Sequence, residues 1–386
     1  MFSLIKSIGP RLLASLLSLT ACAAGPQPED VTGAPDLDVP AIIADAMAIS
    51  EPGGIDDLVE VNIGGVPQWL SVRGRDRRNP ILLFIHGGPG VTEMPVSWFY
   101  QVPLEDYFTV VQWDQRGSGK SAASADLDDV IPTVTTERMV QDGEEVVAYL
   151  RERYGKDKIF VLGHSWGSLI GLELARRHPD WLHAYVGMGQ IIYTQGNEEA
   201  GYEFALSQAR KMNNEAAIAE LEAIAPYPKP DGSLPVPEIL TQRKWLNYFG
   251  GMTWGRETLD YETNLRQLSP DYHALDHQAD AEGSVGVVMS LIPQLGDTDY
   301  RSLTKLDVPV FLFLGRYDHA VSSQIAFDWF ETLDAPSKQA IWFEHSAHMM
   351  QFEQPGRFVL SLVQEVRPVA EAAGDVAPED KPGVGP

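Results

Sequence analysis

The stretch Gly163-His164-Ser165-Trp166-Gly167 sets a hydroxyl between two glycines. It follows the apolar run Ile159-Phe160-Val161-Leu162 and precedes a helix-like segment, Ser168 to His178. Strand, sharp turn and helix are the elements that present a serine as a nucleophile. The turn is tight, so the positions two residues to either side need to be free of side chains. The hydroxyl then sits at a helix N-terminus, where developing negative charge is favoured. This predicts that Ser165 is a nucleophile.

A serine that attacks a carbonyl needs two N–H donors for the oxyanion it creates. The apolar run Ile81–Ile85 is followed by His86-Gly87-Gly88-Pro89-Gly90, a loop where backbone can approach a ligand closely. The expected donors are the N–H of Gly88 in that loop and of Trp166, the residue after the nucleophile.

The serine also needs a base, and the base needs an acid to orient it. Val310–Leu314 runs into Gly315-Arg316-Tyr317-Asp318, and Ala340–Phe343 into Glu344-His345-Ser346-Ala347-His348. The order Ser165, Asp318, His348 is that of a strand-end hydrolase site. Asp307 precedes its strand and lies on the wrong side of the sheet. Of the nine histidines, His164 is read as pointing away from the chemistry and His178 and His183 as capping or surface groups. His273 and His277 fall in the middle of the chain. His348 is preferred as base, with His345 the runner-up.

Together with Trp113-Asp114-Gln115-Arg116-Gly117-Ser118-Gly119 and Glu353-Gln354-Pro355, these motifs resemble proline iminopeptidase-like α/β-hydrolases. The resemblance covers residues 58–190 and 300–365. It implies Ser165 as nucleophile, Asp318 as acid, His348 as base, and Gly88 and Trp166 as oxyanion donors. It makes the Asp114–Arg116 segment a structural loop beneath the glycine-rich one. In that family a tryptophan–glutamate segment of the cap holds the substrate's free amine. Here Lys244-Trp245-Leu246-Asn247 has the tryptophan without an adjacent glutamate. Glu198, Glu199 and Glu203 follow the sixth strand, where a place facing the cleft is open to them, and a solvated helix face is the preferred reading.

The elements that must position these residues are legible as alternation. Strands are expected at Leu58–Ile63, Gln68–Val72, Ile81–Ile85, Thr109–Trp113, Ile159–Leu162, Ala184–Met188, Val310–Leu314 and Ala340–Phe343, with helices at Thr136–Tyr154 and Ser322–Leu333. Alternating strands and helices give an α/β-hydrolase fold: a mostly parallel sheet with helices on both faces and the site at the strands' C-terminal edge. The hydrolase core is expected over residues 51–190 and 300–367. The alternation stops over residues 191–299, which read as a helical lid. Of its clustered Trp245, Tyr248, Phe249, Met252 and Trp254, most are expected in the lid's own core, with one or two facing the substrate.

The 386 residues carry 54 acidic against 29 basic groups, a balance that repels nucleic acid. The partners expected are a small molecule or short peptide as substrate and a membrane at the N-terminus. Nothing in the sequence specifies an oligomeric state. Residues 1–21 have the short apolar centre of an export signal, ending in Leu19-Thr20-Ala21-Cys22. Cys22, the one cysteine in the chain, is the expected lipidation site, which implies a lipoprotein of a bacterial cell envelope. A soluble periplasmic or secreted form, cut at Ala21-Cys22-Ala23, is the alternative. Residues 22–50 are expected to be a flexible tether and 368–386 a disordered tail.

The expected function is a serine hydrolase that cleaves an ester or amide through an acyl-enzyme, aminopeptidase-like or a carboxylesterase. A non-catalytic lipid-anchored binding protein is the reading from another class. No cofactor and no metal are expected. Gly117-Ser118-Gly119-Lys120-Ser121 lacks the first glycine of a phosphate loop.

Overall fold

The computed structural model describes residues 37–378. Eight strands form one sheet: β1 (Ile55–Ile63), β2 (Val66–Gly74), β3 (Ile81–Ile85), β4 (Thr109–Asp114), β5 (Ile159–His164), β6 (Leu182–Met188), β7 (Val310–Gly315) and β8 (Lys338–Phe343). Their spatial order is β1-β2-β4-β3-β5-β6-β7-β8. β1, β2 and β4 pair antiparallel, and every pairing from β4 to β8 is parallel. The pattern follows from burial. β1 alternates between buried or half-buried and exposed positions, as an edge strand with one wet face does. β3, β5 and β7 are buried at every residue, because helices cover both of their faces.

Two apolar clusters fill the spaces between sheet and helices. One holds Leu83, Val161 and Leu312 with Ile170 and Leu174. The other holds Phe84, Leu162 and Phe313 with Phe358 and Leu362. The helix Thr136–Tyr154 is bounded by local chemistry: Thr135 accepts from Arg138 N at its start, and Gly155 takes φ 65° at its end.

The insertion leaves and rejoins the core at a narrow neck, where Thr194 N–H donates to Thr298 O and Tyr300 N–H to Ile192 O. It holds the helices Thr194–Lys211, Glu215–Ala223, Val236–Tyr248, Asp260–Arg266 and Ala274–Leu295. The last of these rests on the core through Gly283, where an added Cβ would lie 2.2 Å from Gly117 O.

Three expectations are corrected. The tether does not run to residue 50, because Val39–Met47 is a helix capped by Asp38 and its carbonyl at Met47 accepts from Arg73 Nη2 at 2.6 Å. Order does not end at 367: Pro368–Ala372 is helical with Ala370 buried, and Asp375 takes Lys156 Nζ and His183 Nε2. That contact also corrects His183, which lies buried in β6 rather than at the surface. The export signal and Cys22 lie outside the described residues.

Candidate active site

Parallel strands bring their C-terminal ends to one edge, and the motif residues gather there. β5 ends at His164, and Ser165 follows it with φ 54° and ψ −120°. A non-glycine residue in that region costs of order 1–3 kcal/mol and persists only when its surroundings impose it. The surroundings are the flanking glycines. A Cβ on Gly163 would lie 2.4 Å from Gly167 O, and one on Gly167 would lie 2.1 Å from Ile85 O. The helix Trp166–Arg177 starts immediately after the serine, so Trp166 N–H has no intrahelical partner.

β7 ends just before Asp318, and the loop after β8 carries His348. His348 Nδ1 and Asp318 Oδ2 are 2.8 Å apart and both side chains are buried. The second carboxylate oxygen accepts from Ala320 N at 3.0 Å and Val321 N at 2.9 Å. Donation from Nδ1 leaves the lone pair on Nε2, the tautomer a general base requires. Ser165, His348, Gly87 and Gly88 line one cavity of about 270 Å³. Ser165 Oγ and His348 Nε2 are not hydrogen-bonded, and such bonds often tighten only when substrate is held.

The remaining histidines separate cleanly. His345 is exposed and packs on Trp254, and Asp307 is exposed and paired with Lys305. His319 stacks on Phe204. His164, read from sequence as remote from the chemistry, bonds through Nε2 to the carbonyl of His348 at 3.0 Å. The acceptor is a carbonyl, so that nitrogen carries the hydrogen. Burial holds the His164 pKa down to about 3, so the ring stays neutral and keeps this role.

The Asp114–Arg116 loop supports the glycine-rich loop, as expected. Gln115 Nε2 donates to His86 O at 3.0 Å, and Trp166 Nε1 donates to Gln115 Oε1 at 3.1 Å. Arg116 is spent on a buried fork to Asp142. Asp114 accepts from Lys120 N and from the Tyr272 hydroxyl, and burial pushes its carboxyl up to about 7.

The lid roofs the cavity with Val236, Ile239, Leu240, Val285, Val288 and Ile292. Of the aromatic-rich cluster, Met252 faces the cavity, whereas Trp245, Tyr248 and Phe249 pack on one another. The segment around Met252 also grips the loops below. Met252 O accepts from His348 N at 3.0 Å, Gly251 O from His319 N at 2.9 Å, and Glu353 carries Trp254 N and Ala347 N.

Two carboxylates line this largely apolar space. Glu198 is buried, not solvated as expected, and both its oxygens take Arg243, with the Tyr227 hydroxyl on one of them. No sequence signal links residues 45 positions apart. Glu93 follows the glycine-rich loop and is the one charged residue between Arg78 and Glu105, a signal that sequence reasoning passed over. Among the described residues, no group of three or more His, Cys, Asp or Glu side chains is placed to hold a metal ion.

Comparison with known proteins agrees with this architecture. Residues 80–355 match the family described as alpha/beta hydrolase fold, and the chain belongs to that family. It is a hydrolase and is similar to the proline iminopeptidases. A probable aminopeptidase of Bacillus subtilis is 29% identical over 327 residues, 83% of this chain and 99% of the relative. A proline iminopeptidase of Saccharolobus solfataricus is 25% identical over 76% of this chain and 86% of its own length. The crystal structure of a proline iminopeptidase from Mycobacterium smegmatis superposes with a TM-score of 0.59 at 20% identity, covering 82% of this chain and all of that one.

Proposed function

We propose that the protein cleaves short peptides or aminoacyl amides with a free N-terminus, through an acyl-enzyme on Ser165. What carries the mechanism is the 2.8 Å bond from His348 to Asp318 beside a strained, helix-capping Ser165. His348 Nε2 takes the Ser165 proton as Oγ adds to the carbonyl carbon. The N–H groups of Gly88 and Trp166 receive the oxyanion. The intermediate collapses as His348 returns the proton to the leaving amine. Water, deprotonated by the same nitrogen, then releases the acid. The aminopeptidase and proline iminopeptidase relatives favour this substrate class. The apolar roof favours a second reading, a carboxylesterase for small esters.

A side-by-side assay of a prolyl or alanyl p-nitroanilide and a short-chain p-nitrophenyl ester tests the two, with Ser165→Ala as control. Anilide turnover lost in the control supports the peptidase. Ester turnover alone moves the assignment to the esterase, and neither activity, with no fluorophosphonate labelling of Ser165, sinks both.

The same proposal includes export and acylation at Cys22, supported by the segment Leu12 to Cys22. Intact wild type should partition into detergent and Cys22→Ser should not. Equal partitioning would overturn the anchor.

A further inference from the structure

The active-site cavity is roofed and walled largely by aliphatic side chains, yet it contains Glu93 and Glu198. Their electrical situations differ. Glu198 is neutralised by the two-pronged contact from Arg243 and is further bonded by Tyr227. It has no charge left to offer a ligand. Glu93 is 5% exposed, and its partners are neutral. Gln351 Nε2 donates to Oε1 at 3.1 Å, and the Tyr100 hydroxyl donates as well.

Among the described residues, no cation forms an ion pair with Glu93. Arg266, the cation acting on it from a distance, is committed to Thr92 and Asp280, and Glu262 adds a like charge. A carboxylate enclosed in this way lacks a counter-charge, and a cation entering the cavity would supply one.

We propose that Glu93 is the group that binds the substrate's free α-ammonium, so that the amine is recognised from the core loop rather than from the lid. The inference rests on the reading of Ser165 as nucleophile toward amine-bearing acyl groups. It accounts for the absence of a glutamate beside Trp245: the negative charge stands on the loop that also carries Gly88. Ser165 and Glu93 line the same cavity, so the carbonyl and the amine of one small ligand share that space with both groups. Burial pushes the Glu93 carboxyl up to about 7, the mark of an ionised form that lacks a cation. A bound ammonium favours the ionised carboxylate, so the carboxyl proton is released to water and a charge-assisted pair remains.

The test uses alanine benzyl ester and propionic acid benzyl ester, which differ only in the amine, and alanyl p-nitroanilide as the amide. Wild type should prefer the alanine ester. Glu93→Gln should lower kcat/KM for that ester by about 30-fold or more, while the propionate ester changes by less than about threefold. Glu198→Gln should keep the wild-type preference. No preference in wild type, or a preference that survives Glu93→Gln, overturns the proposal, and loss of it in Glu198→Gln alone moves the site to the lid. Wild type that prefers the alanine ester but leaves the anilide intact sinks the peptidase reading and not Glu93. An anilide cleaved equally well by Glu93→Gln does the reverse. Should Glu93→Gln not fold, as judged by its propionate turnover, Glu93→Asp withdraws the charge by one methylene. It must then raise KM for the alanine ester alone, and an unchanged KM overturns the proposal.

Discussion

The backbone carbonyl of His348 accepts a hydrogen bond from His164 Nε2 at 3.0 Å, so the residue before Ser165 holds the loop that carries the proposed base. The two rings also pack, with centroids 4.8 Å apart. His164 is therefore a positioning residue. His164→Phe keeps an aromatic ring and loses the donor. It should lower kcat/KM by about tenfold, the worth of one buried hydrogen bond. Labelling of Ser165 by a fluorophosphonate should slow in parallel. His164→Gln, which can donate to the same carbonyl, should restore most of the rate. Normal labelling in the Phe variant would show that the contact serves stability alone.

The backbone at Ser165 stores strain that glycine would not. Ser165→Ala and Ser165→Gly both remove the proposed nucleophile and should reduce turnover by about 10⁴-fold or more. They should differ in stability. The φ of 54° burdens alanine, whereas glycine adopts it freely at some cost in unfolded-state entropy. Urea unfolding should place the glycine variant about 1 kcal/mol above the alanine variant. Equal midpoints would mean that the turn is relaxed.

The choice of base and acid is separately testable. Asp318→Asn should lower kcat by about 10⁴-fold by presenting the wrong tautomer of His348. His348→Ala should be as severe, and exposed His345→Ala should leave kcat/KM unchanged. A dead His345 variant with an active His348 variant would reverse the assignment.

Buried Asp114 should give stability a characteristic pH dependence. Burial raises its folded pKa to about 7, above the ordinary carboxyl value of the unfolded chain. Between those values the folded state holds a proton that the unfolded state has released, so this group's contribution falls as pH rises through the window. Asp114→Asn does not titrate. Its stability relative to wild type should be greater at about pH 8 than at about pH 4, by about 1 kcal/mol or more. A difference independent of pH would mean that Asp114 stays ionised.

All eight strands and the helix Thr136–Tyr154 were legible because each is set by neighbours in sequence: apolar runs, glycine turns, a threonine cap. That Ser165, Asp318 and His348 converge was legible because parallel strands bring their C-terminal ends to one edge of the sheet. What escaped was set by pairs distant in sequence. Glu198 looked solvated because its partner Arg243 lies on another helix of the lid. His183 is tolerated in a fully buried strand because Asp375 reaches it from 192 residues away. His164 was judged by its own position in the turn, while its partner is a backbone carbonyl, invisible to any motif.

The grip of the Gly251–Trp254 segment on the loops beneath has a consequence for traffic through the enzyme. The carbonyl of Met252 is bonded to the amide of His348, the proposed base. If the roof lifted at that corner, the imidazole would be dragged off its mark, and a half-open molecule would be disarmed. On that reading a ligand enters away from this corner, or while the proposed base is displaced. Turnover at the proposed base and the seating of this corner of the roof are then one coupled property.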